Sequence, residues 1–262
     1  MRIKANSIEF NCLVEGPEGA PWVTFCNSLA TDHRMWDFQA AALKGRYRLL
    51  RYDRRGHGQT PAPGRDWMIQ DLARDVVGLW DALGIERSHF VGLSIGGMTG
   101  QELAIDYGDR LLSFVCADSR SDAPPGSDKM WMERIAKARQ GGMAGLVDET
   151  LGRWFTPAFV KWNPPVLDTI RDMIRHTSLD GYEGCGRAIM RLDLLGKLPR
   201  IKTRTLFICG ADDQGTPPSG MREMNKLVAG SRYIEIAPGA HLPNIEQPEA
   251  FNRALIDFLG EG

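Results

Sequence analysis

Short apolar runs recur along the chain, each closed by turn-forming residues and most followed by a helical pattern. Trp22–Cys26 and residues 47–52, 89–91, 112–116 and 205–209 are apolar or aromatic-rich almost throughout. Parallel strands buried on both faces and joined by crossover helices read this way. Residues 71–83 set Leu72, Val76, Leu79, Trp80 and Leu83 on one face, which predicts an amphipathic helix. Arg232–Ile236 reads as a last strand and Pro248–Leu259 as a terminal helix. Ile8–Glu15 alternates between apolar and polar positions, predicting an antiparallel strand at the sheet edge.

Residues 124–198 break this rhythm. They contain no good strand but carry helical segments at 131–139 and 165–176, rich in Trp, Met and Arg. An all-helical insertion between two parallel strands is most simply a lid over the strands' carboxyl ends, where open α/β sheets bind ligands. The predicted organisation is therefore a core domain, 1–123 and 199–262, interrupted by a helical lid at 124–198.

Composition narrows the partners. The 262 residues suit one large α/β domain. With 32 Lys and Arg against 33 Asp and Glu, nothing calls for nucleic acid or an anionic membrane surface. No apolar run reaches the roughly 18 residues of a membrane helix, and residues 1–6 do not resemble a signal peptide. Cys12, Cys26, Cys116, Cys185 and Cys209 are odd in number and scattered, which suits free thiols in a reducing cytoplasm. No Cys/His pair has metal-ligand spacing, so a metal such as zinc is not expected.

The chemistry centres on Gly92-Leu93-Ser94-Ile95-Gly96, placed between a strand and a helix start. A Gly-x-Ser-x-Gly at such a switch makes a sharp turn that displays the serine hydroxyl above the sheet edge. A serine needs a base to take its proton and an acid to orient that base. Of the five histidines, only His241 follows a late strand at the carboxyl end where Ser94 is displayed. The loop Cys209 to Pro217 also leaves a strand end and offers two adjacent candidates for the acid, Asp212 and Asp213. The order Ser, Asp, His is that of the α/β-hydrolase arrangement. Two backbone N–H donors must also face the developing oxyanion. Ile95, just after the serine, and Leu29, in the loop after an early strand, are the predicted pair.

These pieces resemble the α/β-hydrolase superfamily along the whole length, and in particular its 3-oxoadipate enol-lactonases. Asn27-Ser28-Leu29 with Asp32 and Met35-Trp36 looks like the lactonases' oxyanion loop. Arg51-Tyr52-Asp53, Gly56-His57-Gly58 and the Ser94 elbow match superfamily signatures. Trp154-Phe155-Thr156-Pro157 and Gly181-Tyr182-Glu183-Gly184-Cys185 are similar to the lactonase lid. Gly210-x-x-Asp213-x-x-Thr216-Pro217 and Gly239-Ala240-His241 resemble the acid and base loops, which favours Asp213 over Asp212. The resemblance implies an α/β-hydrolase fold, with a mostly parallel twisted sheet flanked by helices. It also implies a Ser94–His241–Asp213 triad that cleaves a lactone or ester through an acyl-enzyme, without cofactor. Asn27, Trp131, Trp154, Met190 and Arg191 are the candidate substrate-binding residues, and a small lactone or ester is the expected partner. The oligomeric state is left open.

Two departures bear on the substrate. Where the lactonases tend to show Arg-Asp-x-Asp, this chain reads Met190-Arg191-Leu192-Asp193, which rotates a basic side chain by about 100° on a helix. Where they carry a neutral stretch, this chain reads Ala117-Asp118-Ser119-Arg120. That change reads either as an ion pair reshaping the pocket or as an exposed salt bridge worth under about 1 kcal/mol. The alternatives are a general carboxylesterase, a lactonase for another ring, or a perhydrolase, lyase or receptor on the same fold.

Overall fold

A computed structural model describes residues 1–261. The apolar runs become an eight-stranded sheet: β1 (Arg2–Ala5), β2 (Ile8–Glu15), β3 (Trp22–Cys26), β4 (Arg48–Tyr52), β5 (Ser88–Leu93), β6 (Leu111–Ala117), β7 (Thr205–Gly210) and β8 (Arg232–Ile236). Their order is β1-β2-β4-β3-β5-β6-β7-β8. The first two strands pair antiparallel, β2 pairs antiparallel with β4, and every later pairing is parallel. Ile8–Glu15 is thus antiparallel as expected, but β1 lies outside it as the true edge. That strand has only four residues, two of them basic, so its apolar signal is weak. Asn6 and Ser7 both have positive φ and close the β1–β2 hairpin in the left-handed region that right-twisted strands favour.

The helices are α1 (Asp37–Leu43), α2 (Ile69–Leu83), α3 (Ile95–Asp106), α4 (Ser127–Gly141), α5 (Val147–Trp154), α6 (Pro157–Trp162), α7 (Val166–His176), α8 (Leu179–Met190), α9 (Pro218–Leu227), α10 (Pro243–Glu246) and α11 (Pro248–Leu259). Leu43 of α1 and Phe251 and Phe258 of α11 join the apolar layer on one face of the sheet. Trp80 of α2, Leu103 of α3 and Met221 of α9 join the layer on the other. Alternate residues of the central strands feed both layers: Val91 enters one and Phe90 the other. Helix α2 begins two residues before its predicted start. Asp71 accepts the Met68 N–H at 2.7 Å, so the residue that sequence periodicity places first instead caps the helix from its first turn.

Helices α4 to α8 all lie between β6 and β7. The chain enters and leaves this segment side by side. Leu194 N–H donates to Ser121 O at 2.7 Å and Ala123 N–H to Leu192 O at 3.0 Å. Trp131, Phe155, Ile170 and Ile174 of the segment belong to the same apolar cluster as Leu29 and Met98 beside the serine turn.

Candidate active site

Strand β5 is buried from end to end and delivers the chain to Ser94, the residue before α3. Ser94 has φ +59° and ψ −120°, a conformation that side-chain-bearing residues rarely adopt and that costs about 1–3 kcal/mol. The turn is held by hydrogen bonds. Ser94 N–H donates to Ala117 O at 2.9 Å, while its carbonyl accepts the Ser119 hydroxyl at 2.8 Å and Met98 N–H at 3.0 Å. Both flanking glycines are sterically required. A Cβ on Gly92 would stand 2.2 Å from Gly96 O, and one on Gly96 would stand 2.1 Å from Cys26 O.

The loops after β7 and β8 bring Asp213 and His241 together. His241 Nδ1 lies 2.7 Å from Asp213 Oδ2, with the carboxylate inaccessible to solvent. Asp213 Oδ1 also accepts Gly215 N–H at 2.8 Å and Thr216 N–H at 3.1 Å, and the Thr216 hydroxyl donates to Oδ2 at 2.6 Å. Burial by itself would raise the Asp213 pKa. The facing His241 charge and these hydrogen bonds overcome that and hold it at about 2. An ionised carboxylate at Nδ1 keeps the ring proton there and leaves Nε2 as the basic nitrogen. Asp212, the alternative acid, instead accepts Gly239 N–H at 3.2 Å and tethers the loop that carries His241.

Leu29 lines the same cavity as Ser94, and Ile95 follows the serine in the chain. Ile95 is the first residue of α3, so its N–H has no acceptor within the helix. The Leu29 loop is braced from behind. Asn27 Nδ2 donates to Tyr52 O at 2.9 Å, its carbonyl accepts from the buried Arg54 guanidinium, and Thr31 OH donates to Ser28 O at 2.9 Å. Asn27 is therefore placed as a brace of this loop, with its side chain turned away from the cavity.

A cavity of about 1730 Å³ joins these parts, lined by Ser94, Asp213 and His241 together with Leu29, Trp131 and Trp154. Both tryptophans are 8% exposed. Trp162, at the rim, is 73% exposed. Met190 does not line the cavity; it packs against the main apolar cluster. Arg191 is directed elsewhere, bonded to the Asp66 carboxylate and to Trp67 O at 2.8 Å. Arg187 is paired with Glu183 at 2.8 Å.

Arg120 is the basic residue of the predicted departures that reaches the cavity wall. It is half-buried, its Nε has no hydrogen-bond partner among the described residues, and burial lowers its pKa. Asp118 overturns the expectation of an exposed salt bridge with Arg120. It is fully buried, has φ +41°, and accepts Gly210 N–H at 2.8 Å. Nothing local in the sequence signals this, because the burial follows from β6 lying between β5 and β7.

Among the described residues, two side-chain groups have donor atoms close enough for a metal ion: Asp32, His33 and Asp53, and Asp118, Asp213 and His241. In both, internal hydrogen bonds already engage the ring Nδ1, with His33 bound to Asp53 and His241 to Asp213.

Comparison with known proteins bears on the fold and the family. The sequence profile of the Alpha/beta hydrolase family matches residues 25–254. The 3-oxoadipate enol-lactonase 1 of Acinetobacter baylyi is 37% identical over 246 residues, covering 94% of this chain and 91% of that protein. The crystal structure of the enol-lactonase from Burkholderia xenovorans superposes with a TM-score of 0.96 at 40% identity, over 100% of both chains. A hydrolase from Pseudomonas aeruginosa superposes with a TM-score of 0.94 at 36% identity, over 98% of this chain and 97% of its own.

Proposed function

The chain belongs to the alpha/beta hydrolase family, and from that premise we propose that it is a serine hydrolase that opens a lactone related to those of the enol-lactonases. One observation carries the reading: Ser94, on its strained turn, shares a cavity with a His241 already locked to an ionised Asp213. In the proposed reaction His241 Nε2 takes the Ser94 hydroxyl proton as Oγ attacks the lactone carbonyl. The Leu29 and Ile95 N–H groups hold the oxyanion, each such donor being worth about 3 kcal/mol in the transition state. The ring C–O bond breaks, the leaving oxygen takes the proton from His241, and the substrate stays attached to Ser94 as an ester. Water, deprotonated by the same His241, then releases the acid. Asp213 stabilises the imidazolium in both halves.

Residues 124–198 act in this reading as a lid, placing Trp131 and Trp154 over the reacting carbonyl. Arg120 is the group that would face an anionic tail of the substrate. The five cysteines are all free and buried, which supports an enzyme of the reducing cytoplasm. Among the described residues no helix is long and apolar enough to cross a membrane.

Steady-state hydrolysis of a panel of lactones and short esters tests the proposal. Ser94→Ala is expected to lower kcat on the order of 10⁴–10⁶-fold while the thermal unfolding curve stays in place. Activity retained in that variant overturns the proposal.

A further inference from the structure

A second carboxyl stands behind the paired acid and base, and the reaction above makes no use of it. Asp118 lies one residue past β6, which runs between the strand leading to Ser94 and the strand leading to Asp213. An oxygen of Asp118, an oxygen of Asp213 and a ring nitrogen of His241 all lie within 4.8 Å of one another. Asp118 is anchored in this position. Its N–H donates to Ile208 O at 2.9 Å, and its Oδ1 accepts Gly210 N–H at 2.8 Å. Oδ2, also buried, has no hydrogen-bond partner among the described residues.

Two buried carboxylates this close cannot both carry charge at low cost. Asp213 is the member with charge-stabilising contacts: two backbone N–H groups, a hydroxyl and the imidazole. Asp118 has one N–H. The single negative charge therefore resides on Asp213, and the proton on Asp118. Burial, and then the Asp213 charge, push the Asp118 carboxyl well above the usual range. The other titratable groups around the pair are His241, from the loop after β8, Cys209 of β7, and Arg120, whose positive charge acts on Asp213.

We propose that Asp118 is the reserve acid of this site: a positioning residue that stands neutral behind Asp213 and takes over the negative charge facing His241 when the Asp213 carboxylate is removed. The idea rests on the reading of Ser94, His241 and Asp213 given above. Removing the Asp213 carboxylate abolishes the like charge that keeps Asp118 protonated and leaves the His241 Nδ1–H with only the neutral Thr216 hydroxyl, 3.2 Å away. Asp118 then releases its proton to solvent, and its carboxylate supports the imidazolium from the neighbouring strand end.

A double-mutant cycle tests this with p-nitrophenyl acetate as the probe. kcat/KM is measured from pH 6 to 9 for wild type, Asp118→Asn, Asp213→Ala and the double variant, and thermal unfolding checks that each folds. Asparagine keeps the Oδ1 acceptor for Gly210 N–H and tolerates positive φ, so it removes the ionisable group with little else. The loss caused by Asp118→Asn is expected to be at least tenfold larger in the Asp213→Ala background than in wild type. The pH profile of the residual Asp213→Ala activity is expected to carry an ionisation, beyond that of the base His241, which the double variant lacks. Equal or smaller losses in the Asp213→Ala background overturn the proposal, as does a residual activity indifferent to Asp118. Failure of the underlying reading would look different: Ser94→Ala would hydrolyse the ester as well as wild type does.

Discussion

Arg120 is a half-buried cation in the wall of the cavity, with an unpartnered Nε and no salt bridge within 4 Å among the described residues. A guanidinium left partly desolvated is a standing cost that an arriving carboxylate would relieve, and a hydrogen bond to a charged group contributes about 1.5–3 kcal/mol. Replacing Arg120 by Met should therefore raise KM ten- to a hundredfold for a lactone carrying a carboxylate tail. For the matching lactone without the tail, KM should stay within about twofold. Steady-state kinetics on that pair checks the expectation, and an equal effect on both substrates would make Arg120 a packing residue. At this scale the sequence separated some groups and not others. Ser94 was legible from its glycines and His241 from its place after the last strand. Arg120 and Arg191 look alike in sequence, because what separates them is a partner distant in the chain: Arg191 reaches Asp66 across 125 positions.

Among the elements, the contact between α8 and the loop after β4 shows what a glycine-rich motif can hide. Gly181 packs on Gly56 so closely that a Cβ on it would lie 2.1 Å from Gly56 O. Ser178 N–H donates to that same oxygen at 3.2 Å. One turn further, a Cβ on Gly184 would lie 2.4 Å from the Trp67 ring. The glycines thus set how low α8 sits, and with it Tyr182, which lines the cavity. Gly181→Ala should destabilise the fold by about 1–3 kcal/mol through overpacking, read as a lower urea midpoint, and should raise KM as Tyr182 is displaced. Gly220→Ala in α9 is the control, since nothing lies within 4 Å of the added carbon. It should be neutral or stabilise by up to about 1 kcal/mol. Periodicity made the strands and the long helices readable, along with the strandless stretch between β6 and β7. It could not announce β1, four residues with alternate basic side chains, or the contacts that fix α8.

For the molecule as a whole, acid stability turns on histidines buried as neutral rings. His57 sits in the tight turn Gly56-His57-Gly58, fully enclosed, with Nδ1 3.1 Å from Arg55 O and Nε2 unpartnered among the described residues. Burial, reinforced by the nearby Arg54 charge, lowers its pKa to about 3. In the unfolded chain the same ring takes a proton near 6.5. Between these values the unfolded state binds more protons than the folded state, so stability falls as pH falls through that window. The slope from one such group is about 1.4 kcal/mol per pH unit. Other groups titrate too, and His33, whose pKa is raised by its hydrogen bond to Asp53, works in the opposite sense. The His57 share is therefore isolated by difference. His57→Gln should be less stable than wild type at pH 7, but the gap in unfolding free energy should narrow by about 1 kcal/mol or more for each unit between pH 6 and pH 4. Urea denaturation of both proteins across that range reads it directly. A gap that stays constant would mean that His57 takes up its proton equally in both states, and that the enclosure of this turn does not govern how the protein meets acid.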